Sequence, residues 1–141
     1  MSTFSGQTNG NSGRIVQGQY DEPLNEMGMR QAHEAGKALK STIFHKAISS
    51  DLKRAHKTCQ SVLDGNDGSP IKSKDIQTNL LLRERSFGIY ENIPVDDYIK
   101  VTEAAGFESM YDFVPEKGES RDDVAVRAKD FLAVSDFQLE K

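Results

Sequence analysis

The chain has 141 residues, 36% of them hydrophobic, and its 18 Lys plus Arg against 22 Asp plus Glu give a net charge of −4. This size fits one domain with a core of its own. We expect a cytoplasmic protein without a membrane partner, because no segment reads as a membrane span or a signal peptide. The single cysteine, Cys59, excludes an internal disulfide and a cysteine-built zinc site. The mild acidity disfavours nucleic acid as a partner.

The first predicted helix begins after Asn25, a favourable N-cap residue, and residues 1–14 before it read as irregular because Gly and Asn recur there. Small and apolar residues at helical spacing predict that this helix lies close to a sheet. These residues are Gly28, Ala32, Ala35 and Leu39.

Two short strands are predicted at 45–49 and 76–80, and a second helix lies between them at 51–63. Ser49 or Ser50 is the predicted cap of this helix. Its predicted buried face consists of Leu52, Ala55, Cys59 and Val62.

The segment 82–93 is polar and broken by Gly88, so we expect an ordered loop. A third helix is predicted at 95–105, ended by Gly106, and a fourth runs from its cap Ser120 to about Val134. Alternating helices and strands indicate an α/β layer fold, although two strands are too few to cover four helices.

Four stretches are more specific than composition explains. They read QGQYDEPL at 17–24, SSDLKRA at 49–55, LRERSFG at 82–88, and GES at 118–120 followed by Asp123, Val124 and Arg127. In this order they resemble the histidine phosphatase superfamily, the phosphoglycerate-mutase-like proteins, and within it the TIGAR-like fructose-2,6-bisphosphatases. The resemblance covers about residues 6–132. It implies a single, truncated domain at 1–141 with an incomplete three-layer αβα phosphoglycerate-mutase-like fold.

The resemblance also implies a chemistry. Family members pass a phosphoryl group through a phosphohistidine, without a metal or another cofactor, and the implied partner is a phosphorylated small molecule such as a sugar phosphate. Arg54 corresponds to a phosphate-pocket arginine, and Glu84 to the acid that protonates the leaving alkoxide. Gln17 and Gly18 would line the pocket, and Arg85 would contact the substrate. The sequence does not identify a protein partner.

The position of the nucleophile departs from the family. The family motif reads Arg-His-Gly, then Glu or Gln, Thr or Ser, two free positions and Asn. GQTNGN at 6–11 matches from the glycine onward, so Thr8 and Asn11 would bind phosphate. Phe4 stands at the arginine position and Ser5 at the histidine position. The family's second His-Gly, after the last helix, has no counterpart in residues 133–141.

The three histidines do not fit the missing role, because none precedes a glycine after a strand, and we expect ordinary packing or surface roles for His33, His45 and His56. Three interpretations stay open. The chain is an active phosphatase with another nucleophile, an inactive member that still binds a phosphorylated ligand or a protein, or a truncated product without a role of its own. We expect little or no turnover, because a serine hydroxyl without an adjacent base is a poor nucleophile.

Overall fold

A computed structural model describes residues 5–134. Within this range the chain forms five α-helices, one parallel pair of strands and three 3₁₀ turns, which agrees with the mixed α/β fold predicted from the sequence. The helices are α1 (Asn9–Ser12), α2 (Glu26–Ala38), α3 (Lys53–Asp64), α4 (Val95–Ala104) and α5 (Arg121–Val134). The strands are β1 (Ile48–Ser49) and β2 (Gln77–Thr78), and the 3₁₀ turns are Ser73–Asp75, Leu80–Leu82 and Gly88–Tyr90.

Helix α1 corrects the prediction that residues 1–14 are irregular. Thr8 caps this short helix through a reciprocal pair of hydrogen bonds with Asn11, in which each side chain accepts from the other residue's backbone N–H at 3.0 Å. This capping box stabilises one helical turn in a segment whose composition favours a loop. The arginine position at Phe4 and the segment 135–141 lie outside the described residues.

Helix α2 begins where its cap predicts, and Asn25 Oδ1 accepts from Gly28 N at 2.9 Å. Its small residues do permit a close approach, but the partner is α3 rather than the sheet. A Cβ atom on Gly36 would lie 2.5 Å from the Val62 carbonyl oxygen of α3. The two helices therefore pack backbone to backbone at this point.

Helix α3 starts at Lys53, two residues later than predicted, and neither Ser49 nor Ser50 caps it. The carboxylate of Asp21, distant in sequence, accepts from Lys53 N at 2.7 Å and satisfies this helix end instead. The predicted buried face is also wrong beyond Leu52, since the residues of α3 that are buried are Arg54, Thr58, Ser61 and Leu63. Two of these polar side chains, Arg54 and Thr58, form hydrogen bonds with backbone groups of the loops at residues 6, 18 and 20.

The strands are shorter than predicted and pair in parallel, with Ile48 opposite Gln77 and Ser49 opposite Thr78. Gln77 N donates to Ala47 O at 3.0 Å. Ligands of open α/β sheets bind beyond the carboxyl ends of parallel strands. The segment after β1, which leads into α3, therefore lies at the edge where a site is expected.

Helix α4 has the predicted extent to within one residue, and an aromatic cluster fixes it. Tyr98 is fully buried, with its ring centroid 5.4 Å from that of Phe87, 5.5 Å from that of Tyr90 and 6.0 Å from that of Phe113. Such edge-to-face and tilted contacts stabilise buried aromatic rings beyond their area alone. They hold α4 against the loops on either side of it.

Helix α5 also begins as predicted, because Ser120 Oγ accepts from Asp123 N at 3.1 Å and Asp123 Oδ2 accepts from Ser120 N at 2.8 Å. Phe131 is its buried anchor. No helix between residues 5 and 134 combines the length and the apolar content that a bilayer crossing requires.

Candidate functional site

The Ser5–Gly6 segment is fastened to α3. Gly6 N donates to Thr58 Oγ1 at 3.0 Å, and the same hydroxyl donates to Arg54 O at 2.7 Å. A Cβ atom on Gly6 would lie 2.3 Å from the carbonyl oxygen of Gly28, so the two backbones touch. Ser5 and Gly6 thus adjoin the turn of α3 that carries Arg54.

Thr8, Asn11 and Gln17 form one hydrogen-bonded group. Thr8 is fully buried, and its hydroxyl accepts from Asn11 N at 3.0 Å and from the Gln17 side-chain amide. That amide also donates to the Glu22 carboxylate, which accepts from Gly10 N at 2.9 Å. Asn11 is exposed, and its Nδ2 makes no hydrogen bond within residues 5–134. Of the three, Asn11 has a donor available to a ligand.

Arg54 is 6% exposed and holds the loop that follows α1. Its guanidinium donates to Tyr20 O at 2.9 Å and to Gly18 O at 2.6 Å. Two of its five N–H groups are used in this way, and three are left. Burial lowers the pKa of Arg54, and the carboxylate of Glu84 opposes that effect most strongly. Arg54 and Glu84 are therefore near enough for their charges to interact.

Gly18 has a backbone conformation that favours glycine, with φ of 52°. A Cβ atom there would lie 2.5 Å from Glu91 Oε1 and 2.8 Å from a ring carbon of Phe87. The same Glu91 oxygen accepts from Gln19 N at 2.8 Å. The tight turn explains why this position carries glycine, and it directs the Gly18 carbonyl to Arg54.

Glu84 presents an exposed carboxylate on a fixed backbone. Its Oε1 accepts from Arg85 N at 2.8 Å. Its carbonyl oxygen accepts from Arg127 Nη2 at 3.1 Å and from Gln19 Nε2 at 3.2 Å. A carboxyl group whose backbone is fixed and whose side chain reaches solvent is suited to donate a proton to a leaving group.

Arg85 is placed differently from the other predicted residues. It is 6% exposed and donates from Nε to Glu119 O at 2.7 Å, from Nη1 to Tyr111 O at 2.8 Å, and from Nη2 to Phe113 O. Its guanidinium carbon also lies 5.3 Å from the ring centroid of Phe87. Its side chain thus fastens the loop between α4 and α5 through these three carbonyls.

Two ion pairs beside the site were not predicted from the sequence. Arg83 donates from Nε to Asp51 Oδ1 at 2.8 Å and from Nη2 to Asp51 Oδ2, and this hydrogen bonding lowers the pKa of Asp51. Arg127 pairs with Glu119, and both belong to the fourth stretch that carries the family resemblance. Burial alone would raise the pKa of Glu119, but hydrogen bonds from Arg127 and Ser86 N outweigh it and the pKa lies below its ordinary value. Glu119 precedes the cap of α5, so helical spacing in the sequence does not predict this pair.

The three histidines stay outside this group of contacts. His33 and His45 are exposed, and His56 Nδ1 lies 3.3 Å from Ser49 Oγ. Across residues 5–134, no three His, Cys, Asp or Glu side chains are grouped as metal ligands would be.

A sequence profile of the histidine phosphatase superfamily (branch 1) matches residues 5–136. The chain belongs to the histidine phosphatase superfamily. It is 38% identical to mouse fructose-2,6-bisphosphatase TIGAR over 128 residues, which is 90% of this chain and 46% of that protein. It is 37% identical to zebrafish fructose-2,6-bisphosphatase TIGAR B over 128 residues, again 90% of this chain and 49% of the relative. The chain therefore spans about half the length of these curated relatives.

Solved structures agree with the fold. Phosphoglycerate mutase from Bacillus anthracis superimposes with a TM-score of 0.78 at 29% identity, over 92% of this chain and 63% of that one. Mycobacterial glucosyl-3-phosphoglycerate phosphatase gives a TM-score of 0.75 at 30% identity, over 92% and 62%. The phosphoglycerate-mutase-like fold predicted from the sequence is confirmed.

Proposed function

We propose that this domain binds the phosphoryl group of a small sugar phosphate beside Arg54, with Asn11 and Glu84 at the same site. The observation that carries the proposal is the state of Arg54, a buried guanidinium whose position is fixed by two backbone carbonyls while three N–H groups stay available. A fixed guanidinium suits the oxygens of a phosphoryl group, which it binds through parallel hydrogen bonds.

The relatives support the class of ligand. The TIGAR proteins are named fructose-2,6-bisphosphatases, and the mycobacterial glucosyl-3-phosphoglycerate phosphatase has been solved in complex with inorganic phosphate. A sugar bisphosphate is accordingly the ligand we propose to test first. Within the site, Asn11 Nδ2 would donate to a phosphoryl oxygen, while Thr8 and Gln17 hold Asn11 and the loop rather than the ligand.

The residues also suggest how much of the chemistry is retained. Glu84 has the placement that protonation of a leaving alkoxide needs. Ser5 stands where the family motif has the nucleophilic histidine, and a serine hydroxyl without an adjacent base attacks phosphorus poorly. Losing a nucleophile costs roughly 10⁴- to 10⁶-fold in rate. We therefore propose ligand binding with little or no hydrolysis.

The binding proposal is tested by thermal melts of the full chain with fructose 2,6-bisphosphate and, separately, with inorganic phosphate. A ligand at about 100 times its Kd adds about 2.7 kcal/mol of stability. We expect a clear rise in Tm for the wild type and none for Arg54→Gln. Lys53→Gln is the matched control, since it removes the same charge from the next residue, which is exposed and paired with Asp21 at 3.3 Å. A wild-type Tm that neither ligand raises contradicts the proposal.

The proposal on turnover is tested by restoring the family pair with Phe4→Arg and Ser5→His together. We expect phosphate release from fructose 2,6-bisphosphate to rise by at least about 10³-fold over the wild type. Adding Glu84→Gln to the restored pair should remove most of the gain, because the leaving oxygen then lacks its proton donor. Measurable hydrolysis by the wild type at the rate of the restored pair would refute the loss of activity.

A further inference from the structure

Arg127 differs from Arg54 in that all five of its N–H groups are used. Nε donates to Glu119 Oε1 at 2.8 Å, and Nη2 donates to Glu119 Oε2 at 3.1 Å. The remaining three go to backbone carbonyls, from Nη1 to residues 81 and 83 at 2.8 and 2.6 Å and from Nη2 to Glu84 at 3.1 Å. The side chain is 14% exposed. No donor of Arg127 is left for a ligand.

Glu119 binds the other side of the same segment. Besides Arg127, its carboxylate accepts from Ser86 N at 2.8 Å and from Gln19 Nε2 at 3.3 Å. The Gln19 amide also donates to Glu84 O at 3.2 Å. Together Arg127 and Glu119 bind backbone groups of residues 81, 83, 84 and 86, while neither hydrogen bonds to the Glu84 carboxylate.

We propose that Arg127 and Glu119 are positioning residues that set the place of the Glu84 carboxylate, an inference that rests on the proton-donor role proposed above. The exposed Glu84 side chain has one hydrogen bond within the described part of the chain, from the N–H of Arg85. Its carboxylate therefore stays near one place only if the backbone from 81 to 86 is fixed. A proton donor must be held to within roughly 0.5 Å of its working position.

The pair is suited to this task in two ways. Its opposite charges balance, so it fixes the backbone without adding a net charge next to Glu84. Its geometry needs the planar fork of Arg, because a Lys ammonium has three donors from a single nitrogen and cannot reach three carbonyls and two carboxylate oxygens at once.

The test follows the amide ¹H chemical shift of Arg85 between acid and neutral pH, by NMR of the ¹⁵N-labelled full chain. This N–H donates to Glu84 Oε1, so its shift reports both the ionisation of Glu84 and the place of its carboxylate. Arg127→Lys and Glu119→Gln disturb the pair from its two sides. Arg121→Lys is the matched control, a change of the same kind on α5 at a side chain that is 70% exposed and pairs with Asp112 at 3.4 Å.

We expect the Arg85 amide shift to differ clearly between the two pH values in the wild type and in Arg121→Lys. In Arg127→Lys and in Glu119→Gln the amplitude should fall to below about half, because hydrogen bonds weaken steeply with distance and angle. Cooperative thermal melts establish that the variants are folded. If the pair only stabilised the fold, the melts would change before the amplitude of the Arg85 shift. A small shift in the wild type, full amplitude in Arg127→Lys, or failure of both variants to fold would each overturn the proposal. If the amplitudes behave as expected but no phosphorylated ligand binds, the proposed function fails and the positioning role stands.

Discussion

The hydroxyl of Thr58 joins the N-terminal loop to α3, so replacing Thr58 with Val tests how the candidate site is held together. In the folded chain this hydroxyl accepts from Gly6 N at 3.0 Å and donates to Arg54 O at 2.7 Å. Thr58 is 7% exposed and Gly6 is buried. Val keeps the shape of Thr and removes both hydrogen bonds.

The expected cost comes mainly from Gly6. Its N–H would be left buried without an acceptor, which costs about 1–3 kcal/mol. The Arg54 carbonyl keeps its acceptor role in the helix, since Thr58 N lies four residues further along α3. We therefore expect Thr58→Val to lower the free energy of unfolding by about 2 kcal/mol. Thr58→Ser keeps the hydroxyl and deletes one methyl group, at a cost of about 0.8 kcal/mol.

Urea denaturation of the three chains, at equal protein concentration, measures both effects. Thr58→Val should unfold at clearly lower urea than Thr58→Ser, with the same slope m. In thermal melts the Val variant should also show a smaller rise in Tm with fructose 2,6-bisphosphate, because the Ser5–Gly6 segment is no longer fixed beside Arg54. Equal stabilities of the Val and Ser variants would show that the Gly6 hydrogen bond does not hold the loop.

Three further predictions concern the frame of the site. Gly28→Ala should destabilise the fold by about 2 kcal/mol or more. Its added Cβ would lie 2.1 Å from Gln7 O, a backbone atom that cannot move by itself. Urea denaturation measures the loss of stability. Tyr98→Phe should raise the free energy of unfolding by about 1 kcal/mol, since within residues 5–134 the buried Tyr98 hydroxyl has no hydrogen-bond partner, and a loss of stability in the same assay would contradict this. Arg83 lowers the pKa of Asp51 in the folded chain, so the pair stabilises the fold above the ordinary carboxyl pKa and this contribution is lost as the pH falls below about 4. The difference in Tm between wild type and Asp51→Asn should therefore shrink in acid.

Gly106→Ala serves as the control for Gly28→Ala. Gly106 has φ of 85°, but no atom lies within 4 Å of the position of an added Cβ. Only the backbone strain of the left-handed region applies there, at about 1–2 kcal/mol. A loss in Gly28→Ala no larger than in Gly106→Ala would refute the close contact between α2 and the N-terminal loop.

Local signals in the sequence predicted the helices well. Asn25 and Ser120 cap α2 and α5 by bonds to residues three positions away, and Gly106 follows the end of α4. Such signals lie within one helical turn, so a single sequence contains them. Helix α1 was missed because its cap lies in a Gly- and Asn-rich segment, where the composition indicated a loop.

Long-range partners could not be predicted in the same way. The start of α3 depends on Asp21, 32 residues before Lys53, and the Arg83–Asp51 pair also spans 32 residues. The polar buried face of α3 follows from the loops packed on it, which hydrophobic periodicity does not detect. Arg85 matched a family motif, yet its three carbonyl partners lie 26 to 34 residues away.

Arg54, Arg85 and Arg127 differ in how many of their N–H groups are used within the described residues. Arg127 uses five N–H groups within the chain, Arg85 uses three on carbonyls, and Arg54 uses two. Since a phosphoryl group needs several convergent donors, Arg54 is the one of the three with the greatest capacity to bind it. A ligand that took its remaining N–H groups would leave the bonds to the carbonyls of Gly18 and Tyr20 intact. Binding at Arg54 would then stabilise the loop after α1 without breaking the hydrogen bonds that hold it. We therefore expect ligand binding to raise the Tm.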